Sequence, residues 1–156
     1  MGRAMDEIVL RSMAKWPDVP DVYGWLSLDR RGNWLIRDEK IGNLALREFI
    51  CRNYQPDRRG CWFFQNGPQR VFVTLAYTPI VVRREGESYI DHCGRPFASQ
   101  QVFVDDEGSI LVRGGEGIAL VDDRDLGHFA DAADGLARIA RSEVPGRFGF
   151  VADPAP

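Results

Sequence analysis

DRRGNWLI at residues 29–36 is echoed by DRRGCWFF at residues 57–64, and the reading of these two stretches decides the fold. In each, Asp opens a type I turn and Gly takes a positive φ as the chain rejoins a β-ladder, so each copy encodes a turn that runs into a strand. Around the first copy, YGWLSL and WLI read as two short strands, which makes the stretch a hairpin. The second copy follows NLALREFICRNY, whose Leu44, Ala45, Phe49 and Ile50 recur at helical spacing behind Asn43 as N-cap. That turn is therefore expected to deliver a new strand, CWFFQ, and not to join two. A third echo, DDEGSILV at residues 105–112, keeps the Asp, the Gly and the strand but replaces both arginines with acids. What repeats is turn-plus-strand chemistry, for which Asp and Gly have a mechanical reason without any ligand.

Working outward, Ile8, Val9, Met13 and Trp16 fall on one face of a first helix that Pro17 ends. CWFFQ and QRVFVTLAY flank Asn66-Gly67-Pro68. Because Pro68 lacks the N–H that would close an Asn-Gly turn on Gln65, a wider or bulged loop is expected there. IVVRR, SYID, QVFV, SILVR and GIALVD continue at short intervals with glycine-rich turns between them, the pattern of an antiparallel meander. Thr78-Pro79 marks a strand end or sheet edge. Leu126, Phe129, Ala130, Ala133, Leu136, Ala137 and Ala140 form an apolar stripe after Asp122, Asp123 and Asp125, which predicts a C-terminal helix that Gly135 could split. The fold class is thus α+β. The expectation is one globular domain over residues 1–141: a strongly twisted or partly closed antiparallel β-meander with N-terminal, middle and C-terminal helices. Residues 142–156 read as a loosely ordered tail.

A chain of 156 residues, 44% hydrophobic, is long enough to bury a core. Its net charge of -3 argues against a dedicated nucleic-acid binder, and no apolar run reaches membrane-spanning length. The start lacks the features of a signal peptide, and Asp6 stands where a myristoylation site requires Ser or Thr, so a cytoplasmic protein without a lipid anchor is expected. Cys51, Cys61 and Cys93 are then expected as free thiols.

Asp91-His92-Cys93 brings together the residue types of a cysteine nucleophile, its base and an orienting carboxylate. On an extended strand, however, Asp91 and Cys93 point away from His92, so His92 and Cys93 serve as a catalytic pair only if a turn begins there. No C-x-x-C or H-x-x-x-H spacing supports a metal site, and His128 lies off the apolar stripe. The acids at 122, 123 and 125 read as helix-capping charges, and neither DDEG nor GGEG fits a cation or phosphate motif. The strongest constellation is aromatic and basic. Trp25, Trp34, Trp62, Phe63 and Phe64 accompany Arg30, Arg31, Arg58, Arg59 and Arg70, and arginine forks beside aromatic faces hold anionic or planar groups. Arg30, Arg31, Trp34, Arg58, Arg59, Trp62 and Arg70 are the candidate binding residues, for an acidic protein or an anionic ligand, with no cofactor or metal.

MDEIVLRSMAKWPDVPDVYGWLSLDRRGNWLI, FICRNY, GCWFFQNGPQRVFV and LVDDRDL together resemble a family of small proteobacterial proteins known as a domain of unknown function. The resemblance covers nearly the whole chain and brings no activity, ligand or catalytic residue with it. It implies a Thr-His-Thr-Gly-like segment in place of residues 91–94, which makes Cys93 dispensable. The functional expectation is a binding or interaction module. An enzyme built on His92 and Cys93 is the alternative, and a weak nucleic-acid or polyanion binder the third reading.

Overall fold

The computed structural model describes residues 5–15 and 19–156. The chain divides into two compact units, one made of residues up to Asp29, Asn33–Ala76 and Phe150–Pro156, the other of Arg30–Gly32 and Tyr77–Gly149. The architecture is α+β with two mostly antiparallel sheets, neither closed into a barrel. The single expected meander is thus two separate sheets, and each contains at least one parallel pair that periodicity along one strand cannot reveal.

In the first unit, α1 (Glu7–Lys15) precedes β1 (Val22–Leu28), β2 (Trp34–Ile36), β3 (Glu39–Lys40), α2 (Leu44–Arg52), β4 (Tyr54–Pro56), β5 (Trp62–Asn66) and β6 (Gln69–Leu75). The sheet order is β3-β2-β1-β6-β5-β4, and β1 runs parallel to β6. The expected middle helix is present: Asn43 caps it by accepting the Leu46 N–H at 2.9 Å. Helix α1 buries Val9, but Ile8 stays 63% exposed, contrary to the expected face. The Met13 side chain and Trp16 lie outside the described residues. Trp34, Tyr54 and Trp62 pack in series, each ring centroid 4.8 Å from the next. Cys61, Phe63 and Phe72 form a further buried cluster.

Two turns differ from expectation. The second DRRG does join two strands, because Tyr54–Pro56 pairs antiparallel with β5 after the helix ends at Arg52. The loop after β5 is tight, with Asn66 opposite Gln69 and Gly67-Pro68 between them. Gly67 at φ 58° supplies the positive first position of a two-residue turn, and the fixed φ of Pro68 suits the second, where no ladder N–H is needed.

The second unit contains β7 (Ile80–Glu85), β8 (Ser88–Asp91), β9 (Pro96–Phe97), β10 (Gln101–Asp105), β11 (Ile110–Gly114), β12 (Gly117–Val121) and β13 (Ala137–Ile139), ordered β13-β10-β11-β12-β7-β8-β9. Its parallel pairs are β10–β13 and β12–β7. Thr78 lies just before β7, donating to the Ile80 carbonyl at 2.6 Å and accepting the Leu120 N–H. The expected C-terminal helix is absent. Asp123–Phe129 and Ala133–Gly135 are 3₁₀ turns, and Ala137–Ile139 is a strand. Along the apolar stripe only Phe129 is buried, so no packed face supports an α-helix across Gly127 and Gly135.

Residues 142–156 carry α3 (Val144–Phe148), a buried Phe150 and a parallel bridge from Val151 to Cys61, while Ala152 accepts the Leu75 N–H at 2.7 Å. Cys61 is a free, buried thiol; Cys51 and Cys93 are disulfide-bonded, which corrects the expectation of three free cysteines. Among the described residues no helix is long and apolar enough to cross a membrane.

Candidate functional site

Among the described residues an Asp-x-x-Gly-x loop closed by the same two hydrogen bonds occurs four times, at residues 29–33, 57–61, 91–95 and 105–109, whereas the fifth sequence match, residues 21–25, runs into β1. The N–H of the Asp donates to the carbonyl four residues on, at 3.0, 2.8, 2.8 and 2.9 Å in chain order. The N–H of that last residue donates back to the Asp carboxylate at 2.8, 3.0, 2.9 and 2.8 Å. The four glycines sit at φ 79°, 83°, 81° and 82°. A carboxylate is needed at the first position because it accepts N–H groups that the turn leaves unpaired. A glycine is needed at the fourth because a side chain disfavours that φ.

The copy at residues 91–95 went unread in the sequence because His92 and Cys93 masked it. Asp91 is 4% exposed, and its Oδ1 accepts the N–H groups of Cys93 and Arg95, so this carboxylate closes a turn. The Nδ1 of His92 accepts the Val81 N–H at 3.2 Å, and a Cβ on Gly32 would come within 2.5 Å of the His92 Cβ. Cys93 is disulfide-bonded and so offers no free thiol.

The predicted arginines mostly face the chain's own acceptors. Arg30 donates to Ser109 Oγ at 2.7 Å and lies 5.2 Å from the Tyr77 ring centre. Arg31 grips Asp123 with two hydrogen bonds, of 2.8 and 3.1 Å. Arg59 reaches Asp57, the Ala155 carbonyl and the Tyr23 hydroxyl. Arg70 stacks on Phe63 at 4.7 Å. Arg58 is exposed, with no side-chain partner among the described residues. Trp34 and Trp62, at 2% and 5% exposure, are core residues and line no surface. The acids at 122–125 are paired: Arg124 holds Asp122, and Arg83 holds Asp125 at 2.7 Å. Burial pushes the Asp122 carboxyl up, but the guanidinium and backbone N–H of Arg124 pull it further down, below the usual carboxylate range.

Among the described residues the exposed large aromatic is Trp25, and the backbone explains why. Between Val22↔Val71 and Leu26↔Val73 the β1–β6 register slips, with Gly24 at φ 70° inside the bulge. A bulge re-aims side chains. Here it turns Tyr23 flat onto Phe72, at 4.7 Å and 1°, and leaves Trp25 41% exposed. Arg37 lies over the Trp25 ring at 4.1 Å, and its N–H donates to the Trp25 carbonyl. Arg37 and Asp38 form the two-residue β2–β3 turn, both left-handed at φ 49° and 68° without being glycine. Sequence reading named Trp25 but missed Arg37. The signal available was a hairpin whose two central residues are not the Asn-Gly that such a turn favours.

The chain belongs to the family described as "Protein of unknown function (DUF2946)", whose model matches residues 5–155. Two solved structures are similar to it in fold. One is a DUF1285 family protein from Silicibacter pomeroyi, with 15% identity, a TM-score of 0.52, and coverage of 82% of this chain and 85% of that one. The other is a DUF1285 family protein from Shewanella baltica, with 10% identity, a TM-score of 0.51, and coverage of 68% and 90%. No curated protein matches the chain.

Proposed function

We propose that this protein is a binding module whose contact surface centres on Trp25 and Arg37 and whose partner is a protein presenting carboxylates. The observation that carries this reading is Arg37 itself. Its face is stacked on an exposed tryptophan, it has no carboxylate partner among the described residues, and its backbone sits in a strained region. A guanidinium stacked by its face keeps its N–H edge for a carboxylate, and Trp and Arg are the residues most enriched where binding energy concentrates. Backbone strain at a non-glycine position is the kind of local cost that clusters at functional sites. Arg58 offers a second unpaired guanidinium in the same unit.

The test compares the wild-type chain with Trp25→Ala and Arg37→Gln, after circular dichroism has shown all three folded. Capture from a lysate of the source organism, repeated at rising salt, should give a partner that both variants lose and that salt weakens. An identical partner set for all three proteins would end this reading.

A further inference from the structure

A second feature lies in the other unit. A cleft of about 630 Å³, within the range of small-molecule sites, is walled by two glycine-containing arginine segments, Arg113-Gly114-Gly115-Glu116-Gly117 and Gly146-Arg147-Phe148-Gly149. We propose that it binds a small organic phosphate, with Arg113 and Arg147 gripping the phosphate from two sides.

Three observations carry this. First, both guanidinium groups are on exposed residues and neither has a carboxylate partner among the described residues, in a chain whose net charge is -3 and whose other arginines are repeatedly paired. Second, Arg147 is held in place. It stacks 5.1 Å from the centre of Phe103 and 5.6 Å from that of Phe148, which fixes its plane and leaves its N–H edges free. Third, the bare backbone is built in. A Cβ on Gly114 would meet the Ala98 carbonyl and the Phe97 ring at 2.7 Å, and Gly117 sits at φ 129°, so neither position accepts a side chain without strain. At Gly115 a Cβ would meet nothing within 4 Å, so that glycine leaves open space instead of relieving a clash.

Two forks approaching from separate segments fit the three free oxygens of a phosphate monoester better than the two of a carboxylate. The half-buried Phe148 ring supplies an apolar wall for the organic body, while Phe103 is buried beneath the Arg147 guanidinium. Glu116, which also lines the cleft, works against a bare dianion held near it. The ligand is therefore expected to gain from its body as well as from its phosphate.

Calorimetric titration with phenyl phosphate, with inorganic phosphate and phenylacetate in parallel, tests this on the full chain, and backbone amide shifts locate the binding. Phenyl phosphate should bind once per chain, more tightly than inorganic phosphate, shifting the Gly115 and Gly117 amides and weakening as salt rises. Arg113→Gln and Arg147→Gln should each weaken it by about tenfold or more, as expected for loss of a charge-assisted hydrogen bond. Arg47→Gln, an exposed arginine of α2, should leave it unchanged. Because Arg147 also packs on Phe103, the Arg113→Gln result guards against reading a folding defect as lost binding. Absence of binding, phenylacetate binding as tightly as phenyl phosphate, or unaltered binding in the Arg113→Gln/Arg147→Gln double variant would overturn the proposal.

Discussion

Asp105 shows most fully what one carboxylate does in these turns. At 3% exposure its Oδ1 accepts the Glu107 and Ser109 N–H groups, and its Oδ2 accepts the Tyr77 hydroxyl at 2.7 Å. Burial, and then this hydrogen bond, pushes the Tyr77 phenol well above its ordinary range. Asp105→Ala strands three donors, of which the Ser109 N–H and the Tyr77 hydroxyl are buried, and should cost about 3 kcal/mol. Asp105→Asn keeps an acceptor at Oδ1 and should cost roughly 1 kcal/mol. Urea unfolding measures both as a shift in midpoint with unchanged slope. An Asn variant as unstable as the Ala variant would mean that charge, and not acceptor geometry, holds the turn.

Among the elements, the β2–β3 hairpin sets strain against stacking. A left-handed non-glycine residue costs roughly 1–2 kcal/mol, while a cation–π contact at an exposed ring returns about 0.5–1 kcal/mol. Strain therefore outweighs the stack. Replacing Arg37-Asp38 by Asn-Gly should raise the melting temperature by a few degrees, about 1 kcal/mol in stability, while abolishing partner capture. A lowered melting temperature would show instead that the Trp25–Arg37 stack stabilises the hairpin, and the strain would no longer point to binding.

Across the whole molecule, the carboxylates set the response to acid. Asp57, Asp122 and Asp125 all lie below their ordinary range. For Asp57 burial opposes the shift, and the Cys61 and Arg59 N–H groups together with the Arg59 guanidinium outweigh it; for Asp125 the leading cause is the Arg83 guanidinium. A depressed carboxyl stabilises the folded chain above its unfolded pKa of about 3.9, and the contribution is lost as pH falls through the folded value. Melting temperatures should hold from about pH 8 to pH 5 and fall below about pH 4. A melting temperature that rises on acidification below pH 4 would contradict the pairing of these aspartates.

The local chemistry was legible in the chain itself. Asp and Gly at fixed offsets dictated the DRRG and DDEG turns, and Asn43 with its apolar spacing dictated α2, because caps and turns are settled by neighbouring backbone groups. The fourth turn, at Asp91, obeyed the same rule and was obscured only by the chemical interest of its histidine and cysteine. The site was legible in part: residue type pointed to tryptophan and arginine, but not to which of them. Trp34, Trp62 and Trp25 are alike in sequence, and only the packing of Trp34 and Trp62 around Tyr54 and the slip of β1 against β6 decided that Trp25 faces solvent. The division into two sheets, the parallel pairings and the loss of the C-terminal helix depend on which distant strand covers which face. Burial is a property of those long-range partners, and a local pattern holds no information about them.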